Sequence, residues 1–140
     1  MPHPIAYLSF DGKCAEAFRF YEKALQGKIE AMIRAGDSPM AGEMPPEAAD
    51  TIIHASLALE DGGNLYGGDC PGHMSYEGVK GVSMTLNYPT VEDATRVYNA
   101  LLEGGTVTMP LQPAFWAKAW GMLVDRFGVA WIINGERIPL

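Results

Sequence analysis

The sequence is short of positive charge. Only ten Lys and Arg residues stand against 17 Asp and Glu residues, which gives a formal net charge of -7. A protein that binds nucleic acid needs a basic face to neutralise phosphates, and binding to an anionic membrane surface has the same requirement. We therefore expect neither a nucleic acid nor a membrane as a partner.

Cysteine and long hydrophobic runs are also scarce. The two cysteines, Cys14 and Cys70, are far apart and do not have the spacing of metal ligands, which is typical of reduced thiols in a cytoplasmic protein. No run is long enough to span a membrane. The N-terminal residues MPHPIAYLSF lack a basic region followed by a long apolar segment, so no signal peptide is predicted.

Motifs that would identify a reaction are missing too. The sequence contains no Ser-His-Asp nucleophile elbow, no paired histidine ligands and no nucleotide-binding fingerprint. The residues alone therefore do not name a substrate.

The 140 residues, 48% of them hydrophobic, are sufficient for one compact domain covering residues 1–140. Thr90 followed by Asp93 predicts an N-cap, and Gly27 and Gly104 are predicted helix stops. Two long loops are predicted, at 36–50 and 70–80; the first is either a lid or partner contact, or a plain connection. Apolar periodicity predicts helices at 13–26 and 90–103 and strands at 5–10, 28–35, 51–59, 65–69, 81–88, 106–109, 119–124 and 129–133.

The predicted elements repeat. Residues 7–32 align with residues 84–109 at a constant offset of 77, and each copy is followed by two further strands. The pattern predicts an α+β fold of two βαβββ modules, at about 4–70 and 81–136. Such modules form a curved mixed sheet with a concave cleft, and a cleft is the default place for a ligand.

Five segments carry a family resemblance over essentially the whole chain: YLSFDG at 7–12, FRFYEKAL at 18–25, IIHASL at 52–57, GGTVTMPLQPAFW at 104–116 and GMLVDRFGVAWII at 121–133. With them the chain resembles the vicinal oxygen chelate superfamily of glyoxalases, extradiol dioxygenases and bleomycin resistance proteins, and in particular its PhnB-like branch. Ala117 departs from the glycine that the branch usually has there. The resemblance implies a glyoxalase-like fold and a homodimer.

Enzymes of that superfamily hold a divalent metal with His, Glu or Gln side chains. The resemblance carries these ligand positions to Ala6 or Pro4, Gly67, Ser83 and Ile132, and none of these is a strong ligand. We therefore expect no metal and no other cofactor. The nearest polar alternatives are Asn64, Asp69 and Asn134.

The candidate ligand-binding residues are aromatic or polar: His54, Tyr66, Ser83, Phe115, Trp116 and Trp131. His54 lies opposite the apolar row of its strand and could serve as a base or donor in the cleft, but a hydrogen-bonded structural histidine fits the same pattern. Packing in the core or in a dimer is the alternative for the tryptophans. His3 and His73 are expected at the surface, and Cys14 is expected to be a small buried residue.

The sequence thus favours a protein that binds a small organic ligand without the usual metal site. The alternative is a metal-dependent lyase, isomerase or dioxygenase of the glyoxalase type that uses shifted ligands. The PhnB-like branch is sometimes named for ubiquinone methyl transfer, but no methyl-donor site is recognisable in the sequence.

Overall fold

The computed structural model describes residues 2–39, 41–43, 45–60, 62–71 and 74–139. Within these residues the fold is α+β, with two helices and eight strands in two four-stranded mixed sheets. The chain divides into two compact units, Met1–Gly78 and Val79–Leu140, and each contains one sheet and one helix. The predicted fold class of two βαβββ modules is confirmed.

In unit 1 the sheet has the strand order β1-β4-β3-β2. The β1–β4 pair is parallel, with Tyr7 beside Tyr66, and the other two pairs are antiparallel. Its elements are β1 (Tyr7–Phe10), α1 (Cys14–Ala24), β2 (Lys28–Arg34), β3 (Ile52–Ala58) and β4 (Asn64–Asp69).

One face of this sheet packs on α1. Leu8 and Phe10 of β1 are buried, as are Phe18 and Tyr21 of the helix, and the rings of Phe10 and Phe18 meet edge to face with centroids 6.2 Å apart. Burial of each such side chain stabilises the fold by about 1.5–3 kcal/mol. A Cβ at Gly67 would lie 2.7 Å from Cε1 of Phe18, so only glycine lets the helix approach β4 this closely.

Unit 2 has the same arrangement, with the strand order β5-β8-β7-β6 and a parallel β5–β8 pair. Asn87 is beside Asn134 in that pair, a register that matters for the site. The elements are β5 (Met84–Tyr88), α2 (Val91–Leu102), β6 (Thr106–Ala114), β7 (Ala117–Val124) and β8 (Ala130–Arg137).

The helix of unit 2 begins as predicted. The hydroxyl of Thr90 accepts a hydrogen bond of 3.1 Å from the backbone N–H of Asp93, which satisfies one of the free donors of the first turn. The buried Tyr98 donates from its hydroxyl to the carbonyls of Met109 (2.9 Å) and Met122 (3.1 Å). These bonds tie α2 to β6 and β7.

Helix α1 ends at Ala24, two residues before the predicted end, and the left-handed residue that follows it is Gln26, with φ 53°, and not Gly27. After α2 the left-handed residue is the predicted stop, Gly104, with φ 75°. Gly27 is needed for space instead, because its Cβ would lie 2.6 Å from the carbonyl oxygen of Ala58. The equivalent close approach in unit 2 is made by Gly105 to Val124, so the constant offset of 77 does not extend past the helices.

Three strand boundaries differ from the prediction by three residues or more. β6 continues through Pro110 and Pro113 to Ala114, because it is the edge strand and a missing N–H is tolerated there. β5 begins only at Met84, since Gly81 has φ 72° and leaves the extended region. β8 extends to Arg137 because it pairs with the whole of β7.

The long loop at 36–50 is closed at its ends by backbone bonds from Ala35 to Thr51 (2.8 Å) and from Gly36 to Ala49 (2.9 Å). It contains short 3₁₀ turns at Ala35–Asp37, Ala41–Glu43 and Pro46–Ala48. His73 lies outside the described residues. Within the described part of the chain, no helix is both long and apolar enough to cross a membrane.

Candidate functional site

The sheet of unit 2 has one face turned away from α2, which we call the distal face of unit 2. Along β8, Gly135 points at the helix, because its Cβ would lie 2.7 Å from Cβ of Ala94. Side chains alternate along a strand, so Ile132 and Asn134 lie on the distal face. Asn87, the parallel neighbour of Asn134, lies there too.

Three side chains form a chain of hydrogen bonds on this face. The indole Nε1 of Trp116 donates to Oδ1 of Asn134 at 3.1 Å. Nδ2 of Asn134 donates in turn to Oδ1 of Asn87 at 3.0 Å. Asn134 is only 9% exposed, and both atoms of its amide are bonded, so a buried polar group is satisfied and holds its neighbours in place.

Aromatic rings surround the start of this hydrogen-bond chain. Trp116 meets Trp120 edge to face, with centroids 5.2 Å apart, and Trp120 is itself the cross-strand neighbour of Asn134. Phe115 packs against Trp116 with centroids 4.8 Å apart and is 76% exposed. The sequence forms this arrangement because Phe115 and Trp116 are the two loop residues between β6 and β7. We call Trp116, Trp120, Asn134 and Asn87 the Trp–Asn cluster.

Trp131 lies elsewhere. It is 2% exposed, and its Nε1 donates to Oδ2 of Asp125 at 2.8 Å. Oδ1 of the same carboxylate accepts from the backbone N–H groups of Phe127 (2.8 Å) and Val129 (3.1 Å), which shapes the turn between β7 and β8. The structure thus places this predicted site residue in the core of unit 2.

Unit 1 carries a second cluster on the face turned away from α1. The ring of His54 lies 5.2 Å from that of Tyr66 and 6.3 Å from that of Tyr7, measured between centroids. Among the described residues His54 makes these ring contacts and no side-chain hydrogen bond.

A hydrogen bond fixes the position of Tyr7 in this cluster. Its hydroxyl donates to the carbonyl of Ile53 at 3.1 Å and passes over Gly68, where a Cβ would collide with it. Burial is the main cause that raises the pKa of Tyr7, and repulsion from Cys14, when its thiol ionises, and from Asp69 adds to it. The phenol is therefore a neutral donor at neutral pH.

Asp69 and Cys14 are structural in unit 1. Oδ1 of Asp69 accepts from the backbone N–H of Cys14 (3.0 Å), and Oδ2 accepts from that of Ile52 (2.8 Å). Burial, with the Asp69 charge adding to it, raises the pKa of Cys14 to about 12, so its thiol stays protonated. A helix N-terminus lowers a thiol pKa only when burial does not oppose it.

The positions to which the superfamily's metal ligands are carried do not fit a divalent cation. Gly67 faces α1, Ile132 is apolar, and Ser83 is an exposed residue before β5. Both oxygens of Asp69 already accept from backbone donors. Among the described residues, no three His, Cys, Asp or Glu side chains are grouped so as to hold a metal ion.

The structure therefore brings Phe115 and Trp116 together in unit 2, brings His54 and Tyr66 together in unit 1, and leaves Ser83 and Trp131 outside both groups. Asn87 and Tyr7 were not predicted as site residues, whereas Trp120 was predicted, with the other tryptophans, either to line an apolar pocket or to pack in the core. Alternation along each strand placed Asn87 on a polar face, but the parallel register that pairs it with Asn134 has no signal in the sequence.

Comparison with known proteins places these features in a family. A family model described as 3-demethylubiquinone-9 3-methyltransferase matches residues 3–134. The Protein YjdN of Escherichia coli (strain K12) is 31% identical over an alignment of 137 residues that covers 91% of this chain and 91% of that one.

Solved structures agree. Protein PA1353 from Pseudomonas aeruginosa is 45% identical, with a TM-score of 0.88 over 96% of this chain and 97% of that one. A putative 3-demethylubiquinone-9 3-methyltransferase, PhnB protein, from Bacillus cereus is 26% identical, with a TM-score of 0.77 over 95% and 98%. A glyoxylase/bleomycin resistance protein/dioxygenase domain from Frankia sp. EAN1pec, 16% identical with a TM-score of 0.63 over 96% and 98%, shares the fold.

Proposed function

The chain belongs to the family described as 3-demethylubiquinone-9 3-methyltransferase, a PhnB-like branch of the glyoxalase/bleomycin resistance/dioxygenase superfamily, and within it we propose that this protein binds a small aromatic molecule through the Trp–Asn cluster. The observation that carries the proposal is the fixed position of Trp116. Its indole is hydrogen-bonded to Asn134 and set edge to face against Trp120.

A ring held in this way is suited to binding. An indole that is already ordered loses little conformational freedom when a ligand stacks on it, so more of the contact energy appears as affinity. Aromatic pairs contribute about 0.5–1.5 kcal/mol beyond the area that they bury. The adjacent Phe115, 76% exposed, offers further apolar surface that a ligand would cover.

The polar side chains of the cluster indicate the charge of the ligand. Asn134 and Asn87 are neutral amides, and neither carries a charge that would select an ion. Such a site fits a neutral, planar organic molecule better than an anionic or cationic one. In unit 1, His54 and Tyr66 form a separate candidate site, supported by their ring contact and by the absence of a hydrogen-bond partner for the imidazole among the described residues.

Binding can be tested with a panel of neutral bicyclic aromatic compounds. Tryptophan fluorescence should change, and the melting temperature should rise, because a ligand at 100 times its Kd stabilises the folded state by about 2.7 kcal/mol. The variant Trp116→Ala should abolish both effects. The matched control is Trp131→Phe, which alters a core tryptophan and should keep them.

Two results would count against this proposal. If no compound changes the fluorescence or the melting temperature, the Trp–Asn cluster is not a binding site. If Zn, Ni, Mn or Fe ions instead raise the melting temperature of the purified protein, the metal-dependent enzyme with shifted ligands becomes the better interpretation.

We also propose that the protein is a homodimer, as the resemblance to the superfamily implies. Light scattering on a size-exclusion column distinguishes the 15.2 kDa chain from a particle of twice that mass. A single-chain mass at working concentration would reject the dimer without affecting the ligand proposal.

A further inference from the structure

The hydrogen bonds of the Trp–Asn cluster run in one direction, and Trp116 fixes that direction. An indole N–H can only donate. The atom of Asn134 that meets it, 3.1 Å away, is therefore the amide oxygen, and the other amide atom of Asn134 is the NH₂ group.

The orientation of the Asn134 amide also fixes the orientation of the Asn87 amide. The NH₂ group of Asn134 donates, so the atom of Asn87 that lies 3.0 Å from it is again an amide oxygen. The remaining polar atom of Asn87 is Nδ2, which can only donate. Among the described residues this NH₂ group has no hydrogen-bond acceptor, and Asn87 is exposed.

From this direction we infer that the ligand of the Trp–Asn cluster is an aromatic compound with a hydrogen-bond acceptor oxygen, of the aryl ketone class, and that Nδ2 of Asn87 donates to that oxygen. The inference rests on the proposed function and adds the polarity of the ligand to it. Asn87 is assigned as a specificity-determining residue.

Two features support a donor rather than an acceptor end. Amides joined in series polarise one another, so the terminal NH₂ group is a stronger donor than an isolated amide. Asn87 is also in register with Asn134, so the backbone holds the donor one strand beyond the residue that meets Trp116. A ligand with only donor groups would place an N–H against an N–H.

Three bicyclic probes of similar size separate the possibilities: indan-1-one carries an acceptor, indane carries no polar group, and indole carries only a donor. Titrations followed by the ¹H–¹⁵N signals of the side chains of Asn87 and the tryptophans report both affinity and place. Indan-1-one should bind about two- to tenfold more tightly than indane, as expected for one net hydrogen bond, and indole should bind most weakly. Addition of indan-1-one should shift the signal of the Asn87 side-chain amide.

The variant Asn87→Asp reverses the terminal group. Its carboxylate still accepts from Asn134, but it presents an oxygen where the wild type presents an NH₂ group. The preference for indan-1-one over indane should disappear, and indole should become the tightest of the three. Unchanged melting and an unchanged Trp116 signal serve as the check that the fold is intact, and the wild-type titrations test the inference without any variant.

The outcomes separate the two claims. Equal binding of indan-1-one and indane, with shifts of the Trp116 and Trp120 signals, overturns the acceptor class but keeps the aromatic site. Tighter binding of indole than of indan-1-one also overturns it. If none of the three probes shifts these signals, the proposed binding function fails, and the inference fails with it.

Discussion

Replacing Trp131 by Phe separates a core role from a ligand-binding role. The change keeps an aromatic ring and removes the N–H that donates to Oδ2 of Asp125 at 2.8 Å. A hydrogen bond to a charged group contributes about 1.5–3 kcal/mol to stability. The smaller ring also leaves unfilled volume in a site that is 2% exposed, which costs about 1 kcal/mol more. We expect the free energy of unfolding to fall by about 3 kcal/mol.

Urea denaturation followed by far-UV circular dichroism measures this loss. A double-mutant cycle with Asp125→Ala isolates the pair, and the two effects should be non-additive by about 1–3 kcal/mol. The affinity for the probe that binds best should change less than twofold. The matched variant Trp116→Phe should lose less stability and much more affinity, because the Trp116 indole is half-buried and, within the described part of the chain, is hydrogen-bonded to the neutral amide of Asn134 alone.

The reasoning is refuted if Trp131→Phe leaves the unfolding free energy within about 0.5 kcal/mol of the wild type, the range of an ordinary surface substitution. It is also refuted if this variant loses ligand affinity while its stability is unchanged. Either result would return Trp131 to the set of ligand contacts.

Three further outcomes follow from the structure. The pKa of the Cys14 thiol is raised from 9.0 to about 12, so the thiol ionises at lower pH in the unfolded chain than in the folded one, and stability should fall as pH rises from about 9 towards 12. The melting temperature of Cys14→Ala should fall less steeply over this pH range. An identical slope would contradict the raised pKa of Cys14. Thr90→Ala should reduce the unfolding free energy by about 1 kcal/mol through loss of the cap on Asp93, whereas Thr90→Ser should keep most of it in the same denaturation experiment. Gly68→Ala should displace the Tyr7 ring, because the added Cβ would collide with the Tyr7 hydroxyl. The NMR signals of the Tyr7 and His54 rings should then shift. Unchanged signals would show that the backbone accommodates the Cβ without moving the ring.

The elements that were predicted well are those with a local signal. The amphipathic stripe of α2, the Thr90 cap and the turn at Gly104 are all properties of a few adjacent residues, and each is present in the structure. The errors occurred where a distant residue decides. Gly27 looks like a helix stop in sequence, but what requires glycine there is the carbonyl of Ala58, 31 positions away.

The site shows the same division. Phe115 and Trp116 were predicted as neighbours at a candidate site because they are adjacent in sequence and aromatic. The role of Asn134 could not be derived from the sequence, because it depends on the register of β8 with two strands at once. Asn134 pairs with Trp120 on β7 and with Asn87 on β5. Trp131 was chosen for its residue type, and its burial and its hydrogen bond to Asp125 distinguish it from Trp116, which donates to Asn134.

The two units show how one topology can support different chemistry. Both have a parallel first and last strand, and both use glycines to let the helix approach the sheet, at Gly67 in unit 1 and at Gly135 in unit 2. A glycine at such a position keeps the sheet-to-helix distance short but provides no functional group. The residue before such a glycine in the last strand points the other way, so its side chain lies on the face away from the helix. In unit 1 the residue before Gly67 is Tyr66, in contact with His54, and in unit 2 the residue before Gly135 is Asn134, bonded to Trp116. Close packing of the helix on one face of each sheet therefore leaves the other face to polar and aromatic side chains, which form a phenol–imidazole contact in unit 1 and a chain of amide hydrogen bonds in unit 2.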